Sequence, residues 1–557
     1  MRLSVKSFLC SLCLGTLAVA RLSEEFNEEL HLRPLPDGKL AARFSFSTLL
    51  KGATPRHPET LGVEDESQLY TLFPLALGQI LREYAVTELH LTLNAGNWNY
   101  DRWGYPDEPG VGTGAELWAW MGEGGTVTVD SRWRGLRNAL AGLFCASLGS
   151  LDEQRTTSPV LTFQPEGSLP NGNASYQLRH ATLPSEHVCT ENLTPFLKLL
   201  PCKSLSGIAS LLNPHKLFDA DWHGLGVHVR YLEGAGVEVR LAFQAVFDPV
   251  RAASDKRRDW SLSAVFDRRI ERVCPVARSS VIRVRLPQNE VYAIIPSPST
   301  MDKTYATYIV QEVGKPLDVA IIRPEETLFE YPPVIEPQTH ISVHRTLNGA
   351  SQHAGQLALT ITNNHDIQLQ TGYLETMPWL LQFYLHTLHA HIDGTPRDDL
   401  VKLISYIPPL PHVQPALLQA VLTLPPKTTL RLTMDVVKPF LAYTEHPPDA
   451  QRGWDLPPAV FVPFASQNGS ETDSDPQLHA VLSDVRSTRM YTPVLLVDLA
   501  TPDFSMPYNV IIMSCTLIAL IFGMVFNLLT RQFVVAPVTT SLVLGAMAVP
   551  ADQLTAD

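Results

Sequence analysis

Cys10 and Cys13 stand in a Cys-x-x-Cys spacing, which in a mature chain suits redox exchange or metal ligation. Both fall in the apolar run Phe8–Leu17, behind Arg2 and Lys6 and ahead of Ala18-Val19-Ala20. That is the layout of a secretory signal peptide over 1–20, cut before Arg21, and the pair is expected to leave with it. His386, His389 and His391 are metal-binding types, but strand alternation puts His389 and His391 on one face and His386 on the other. Solvent-facing histidines are expected there, and no metal site. Gly110, Gly112 and Gly114 follow prolines rather than a strand, so a plain turn is expected instead of a dinucleotide loop. The chain has no Gly-x-Ser-x-Gly, no His-Glu-x-x-His and no Gln-Ala-Cys signature. No catalytic residue and no cofactor is assigned.

Lys256-Arg-Arg258, Arg268, Arg269 and Arg272 could meet phosphate groups. Asp255, Asp259, Asp267 and Glu271 interleave them, which reads as a solvated charged surface. A net charge of −13 argues against nucleic acid as a partner. Trp98, Trp103, Trp118 and Trp120 could line a pocket or an interface, and the alternation of Ala115–Trp120 reads as a half-buried strand.

The elements around these residues imply a membrane-anchored lumenal chain. Val510–Leu529 is twenty residues without a charge, long enough to cross a bilayer core of about 30 Å. A cleaved signal followed by this late stop-transfer helix gives a single-pass type I topology, with 21–508 lumenal and 531–557 cytosolic. The apolar stretch Val534–Val549 is interrupted by Pro537 and Thr539-Thr540-Ser541. That makes it a poor GPI-attachment tail. Asn173, Asn192 and Asn468 open N-glycosylation sequons, with Pro195 directly after the second. Cys515 lies in the anchor, so the lumen keeps Cys145, Cys189, Cys202 and Cys274. Counting allows two internal bridges, or one bridge with a thiol left for a partner. Asn527, in the last turn of the span, is placed to reach the interface or to hydrogen-bond a neighbouring helix.

The fold class expected is mainly β with an N-terminal α/β portion: a lumenal β-sandwich-type ectodomain plus one C-terminal transmembrane helix at 509–530. Residues 21–220 alternate helix with strand. Pro74–Tyr84 and Trp133–Leu148 have helical spacing, while Thr87–Leu93 and Val160–Phe163 read as strands. Residues 221–508 change to period two. Val227, Val229 and Tyr231 face Val237, Val239, Leu241 and Phe243 across Glu233–Gly236 as a hairpin. Leu357, Leu359 and Ile361 are expected to pair with Ile367 and Leu369 across Asn363–Asp366. Short strands between Pro-rich turns continue to Leu499, as in sandwiches.

Several words of this sequence are similar to the PIG-T family, subunits of the GPI transamidase complex of the endoplasmic reticulum. They include Leu72-Phe-Pro-Leu-Ala-Leu-Gly-Gln79, Gly142-Leu-Phe-Cys-Ala-Ser-Leu148 and Val188-Cys-Thr-Glu-Asn-Leu-Thr-Pro195. Asp259-Trp-Ser-Leu262, Thr501–Val510 and Asn527-Leu-Leu-Thr-Arg531 extend the likeness along the chain. The tail after Gln532 departs from it, lacking the basic residues of many relatives. The resemblance implies a non-catalytic subunit that braces a PIG-K-like caspase-fold protease, which transfers proproteins to GPI. It further implies PIG-S, PIG-U and Gaa-type partners, with GPI lipid and proprotein nearby, and an interchain disulfide from Cys189 to the protease. With Cys145 in an apolar helical run as a buried thiol, Cys202 and Cys274 then form the intrachain disulfide. The competing pairing joins Cys189 to Cys202. A type I lumenal cargo or adhesion receptor fits the topology but not these words.

Overall fold

The computed structural model describes residues 23–65, 70–170, 175–253, 255–287, 290–312, 316–349, 351–446, 452–464, 488–501 and 505–532. The chain is mostly β, in several sheets with one C-terminal apolar helix. Eleven strands in the first 310 residues form one sheet. They are β1 (Glu24–Pro34), β2 (Leu40–Lys51), β3 (Val86–Ala95), β4 (Gly114–Gly122), β5 (Thr156–Thr157) and β6 (Tyr176–Leu183). They continue as β7 (Trp222–Leu232), β8 (Gly236–Phe247), β9 (Ser279–Arg285), β10 (Thr300–Met301) and β11 (Tyr305–Ile309). The spatial order is β10-β11-β9-β1-β2-β8-β7-β3-β4-β6-β5, with only β1 and β9 paired in parallel.

The expected boundary at 220 therefore falls inside a sheet. β7 and β8 form the expected hairpin, with Val227 opposite Leu241 and Val229 opposite Val239, but they sit in its middle. Sequence period changed there because the helices end, not because a domain does. One face of the sheet carries α1 (Leu75–Glu83), α2 (Val129–Phe144) and α3 (Thr190–Leu199). Leu77, Leu136, Leu140, Phe144 and Phe196 close its core over Leu89, Leu91, Leu117 and Val227. Val160–Phe163, expected as a strand, is a bend, with Phe163 at φ 61.

The second body is a sandwich. One layer orders β12 (Ile341–Asn348), β13 (Ala354–Asn363), β19 (Thr429–Val437), β15 (His389–Ile392) and β16 (Thr395–Pro396). The other orders β17 (Val401–Ile407), β18 (Ala416–Leu424), β14 (Leu369–Met377), β20 (Val460–Phe464) and β21 (Met490–Tyr491). β13 and β14, expected to pair, lie in opposite layers. Their apolar faces meet across the core, and the Asn363 Nδ2 donates to the carbonyls of Ile367, Leu424 and Pro425, fixing the corner. The core is not all apolar: Arg345 pairs with Glu375, both fully buried, and the Tyr373 hydroxyl donates to Glu375 at 2.7 Å.

The helix Ser505–Thr530, α4, is a separate compact unit. Within it Tyr508–Thr530 is 23 residues with mean hydropathy 2.3, and among the described residues it alone is long and apolar enough to cross a membrane. The signal segment lies outside the described residues.

Candidate functional site: an exposed thiol edge and a buried charged seam

α2 begins at Thr128, whose hydroxyl caps Ser131, and ends one residue before Cys145. Cys145 takes a left-handed backbone, φ 53, its N–H still bonded to the Ala141 carbonyl. The expectation of a buried Cys145 thiol fails for this reason: the helix has stopped, and the side chain is exposed. Cys189 stands at the N-cap of α3 and is exposed too. Between them Asn192 is only 1% exposed. Its Oδ1 accepts from the Cys189 N–H at 2.7 Å. Its Nδ2 donates to the Phe144 carbonyl at 2.9 Å and the Cys145 carbonyl at 3.2 Å.

One amide thus joins the end of α2 to the start of α3 and leaves a thiol on either side. The amide nitrogen of the Asn192 sequon, the atom a glycan would occupy, is buried here and donates twice. A cap residue three positions ahead of a side-chain acceptor is the capping-box spacing, and Cys189-Thr-Glu-Asn192 displayed it in the sequence. Cys202 and Cys274 are bonded to each other, with Cα atoms 5.9 Å apart. Asn173 and Asn468 lie outside the described residues.

The second polar cluster is internal. Trp98, Trp103, Trp118 and Trp222 on the large sheet's other face meet Leu374, Leu417 and Val460 of the five-stranded layer. The tryptophans are thus a seam between two bodies, and β4, whose Ala115–Trp120 was expected to be half-buried, is covered on both faces. Glu88 and His90 point into this seam. The Glu88 carboxylate accepts from the Glu166 and Gly167 N–H groups at 2.8 and 2.9 Å and from His90 at 2.9 Å. The His90 Nδ1 meets the His228 Nδ1 at 2.9 Å, and its ring stacks on Trp118 at 3.9 Å.

Arg489 closes the cluster. It donates to Glu166 at 3.0 Å and lies over both Trp118 and Phe163. Burial alone would raise the Glu166 pKa, but neighbouring His90 and Arg489 hold the carboxyl well below its usual range. Burial, then His90, pushes His228 well below its ordinary value. Nearby, Glu116 accepts from the Tyr491 hydroxyl at 2.7 Å and from His180 at 3.1 Å. The sequence offered the tryptophans for an interface but not the charged residues beside them. The alternation Thr87-Glu-Leu-His-Leu-Thr92 put Glu88 and His90 on one face of a strand without showing that the face is covered.

Comparison with known proteins gives the family. The family described as "Gpi16 subunit, GPI transamidase component" matches residues 9–258 and 249–547. The chain belongs to the Gpi16 family. It is similar to the GPI-anchor transamidase component PIGT of Homo sapiens, 36% identical over 545 residues, covering 92% of this chain and 91% of the relative. The GPI transamidase component PIG-T homolog of Schizosaccharomyces pombe is 32% identical, covering 95% and 93%. The Saccharomyces cerevisiae GPI16 component is 29% identical, covering 91% and 89%.

The remaining candidates in this Gpi16-family chain fall apart as sites. His389 sits 3.4 Å from Asp398, its ring 6.4 Å from that of His391, and His386 is in a 3-10 turn before the strand. Among the described residues no three His, Cys, Asp or Glu side chains are grouped to hold a metal ion. Gly110 and Gly114 take positive φ in a turn whose Gly110 and Gly112 carbonyls accept from the Asn94 side chain. In the basic cluster, Arg257 pairs with Asp259, and Arg258 with Glu290 and Glu326. Asn527 occupies the last turn of α4, its carbonyl bonded to the Arg531 N–H at 2.9 Å.

Proposed function

We propose that this chain is a component of a GPI transamidase of the endoplasmic reticulum membrane. Its role there is non-catalytic, bracing the caspase-fold protease subunit from the lumen. The observation that carries the reading is the match along nearly its whole length to relatives named as transamidase components. Exposed Cys189 fits a disulfide to that protease, its thiol being free while Cys202 and Cys274 are joined. The buried polar clusters fit a scaffold: Glu166 pairs with Arg489, and Glu88 is held by His90 and two backbone N–H groups between packed layers. PIG-S, PIG-U and Gaa-type subunits complete the assembly, anchored in part by α4, where Asn527 contacts a neighbouring helix.

A tether of this kind raises the effective concentration of a partner whose own contacts are weak. Cys189→Ser is therefore expected to abolish the heavier covalent species on non-reducing gels and to reduce, not eliminate, transamidase activity. A wild-type chain that migrates as a monomer on those gels, with full subunits present, would refute the tether. Co-purification without any protease subunit would instead favour a lumenal cargo or adhesion receptor.

A further inference from the structure

We infer that Cys145 and Cys189 are a dithiol pair, Cys145 being the resolving thiol that exchanges with the disulfide between Cys189 and a partner chain. The inference rests on reading Cys189 as the interchain cysteine. Its structural basis is the single buried amide of Asn192, bonded at one end to the Cys189 N–H and at the other to the Cys145 carbonyl. Three successive links of hydrogen-bond or amide length put those two backbone groups within roughly 8 Å. A disulfide asks for Cα atoms about 4.4–6.8 Å apart, so closure asks for a shift of the backbone about this amide.

The shift is available at Cys145. There α2 has ended and the chain continues through a left-handed residue into the short turn Leu148–Ser150. Both thiols are exposed, so neither must leave a core to react. The other cysteines offer no competitor. Cys202 and Cys274 occupy each other, and Cys515 lies in the membrane helix.

The step is redox-neutral. The Cys145 thiolate attacks the Cys189 Sγ of the interchain disulfide, and the bond from that sulfur to the partner's sulfur breaks. The partner leaves as a thiolate and takes up the proton that Cys145 gave to solvent. One disulfide is consumed and one, Cys145–Cys189, is formed. Run in reverse, a docked partner thiol opens the intrachain bond, and Cys145 is the leaving group. The covalent link then forms only after a partner has docked, and Cys189 is protected from unrelated thiols beforehand.

The test compares the full-length chain, detergent-solubilised, expressed with and without the protease subunit. Thiols are trapped by acid quench and N-ethylmaleimide, and non-reduced digests are mapped by mass spectrometry. The expected result is a Cys145–Cys189 cross-linked peptide in the lone chain equilibrated in a glutathione redox buffer. In the complex, Cys145 is alkylated while Cys189 is linked to the partner. Cys145→Ser, and Cys145→Asn as a residue that tolerates the left-handed backbone, should slow formation of the covalent heterodimer in that buffer by fivefold or more. Cys145 alkylated in both preparations, with the heterodimer rate unchanged in both variants, overturns the inference and leaves the interchain reading standing. A Cys145–Cys189 peptide without any Cys189–partner peptide has the opposite meaning, since the pair stands and the tether fails.

Discussion

The seam and the thiol edge are both built around a buried polar side chain that joins two elements, yet they face opposite ways. At the seam, Arg489 meets Glu166 and two aromatic rings, and Glu88 takes two backbone N–H groups and His90. A dense set of buried charges is thus enclosed between the two bodies. At the edge, Asn192 satisfies only backbone groups, and the reactive atoms beside it stay outside. Strongly displaced pKa values often mark catalytic centres. Here they belong to side chains packed between two layers, whereas the free thiols of Cys145 and Cys189 stand at an exposed edge.

That contrast breaks most decisively at Arg489. Arg489→Met leaves Glu166 buried without its cation and withdraws a planar group from Trp118 and Phe163. Breaking a buried pair from one side costs about 3–5 kcal/mol. Urea unfolding of the detergent-solubilised chain should show a loss of that size, with Arg489→Met/Glu166→Gln recovering a large part of it. A loss below about 1 kcal/mol in the single variant would mean that the seam does not hold the two bodies together.

At the edge a smaller loss is expected. Asn192→Ala strips the Phe144 and Cys145 carbonyls of their side-chain donor and the Cys189 N–H of its acceptor, at about 1–3 kcal/mol for the groups left buried. Hydrogen exchange should report it locally, at the start of α3. The sequon makes a sharper comparison possible. Thr194→Ala removes the acceptor motif while keeping Asn192, and mobility before and after endoglycosidase treatment should match the wild type. A shift by one glycan would show that Asn192 is not clamped as described.

The sequence disclosed these regions unequally. The hairpin of β7 and β8 was legible because alternation and a Gly-rich turn agree locally. The partition of the chain was not, because strand order is set by which faces can be covered, and β7 and β8 find their neighbours in β3 and β2. β13 and β14 misled for a related reason: adjacent alternating runs look alike whether they pair edge to edge or face each other across a core. Cys189 stood out through the family likeness of its Val188–Pro195 word, while Cys145 was misjudged because helical spacing continued past the residue where the backbone turns left-handed. The charged part of the seam stayed hidden since a charged residue on alternate positions reads as solvent-facing until what covers it is known, and Arg489 lies 323 residues from Glu166.

The smallest effect expected is a dependence on pH, and it separates the two regions by its window. His228 is neutral when buried, its pKa depressed by burial and then by His90 and Arg240, with Arg489 adding to this and Glu166 opposing it. A histidine with a lowered folded pKa contributes no loss above its unfolded value near 6.5. Below that, the unfolded chain takes a proton that the folded chain refuses, and stability falls by at most about 1.4 kcal/mol per pH unit. His223, lowered chiefly by burial, adds to the same window. The depressed Glu166 carboxyl acts only in the carboxylate range, near pH 4 and below. Urea midpoints measured from pH 7.5 to 5 should therefore decline below about 6.5, and His228→Gln should flatten the slope without removing the part due to His223. The covalent species through Cys189 should persist over the same range, because a formed disulfide binds no proton. A slope identical in His228→Gln would place the acid sensitivity outside the seam.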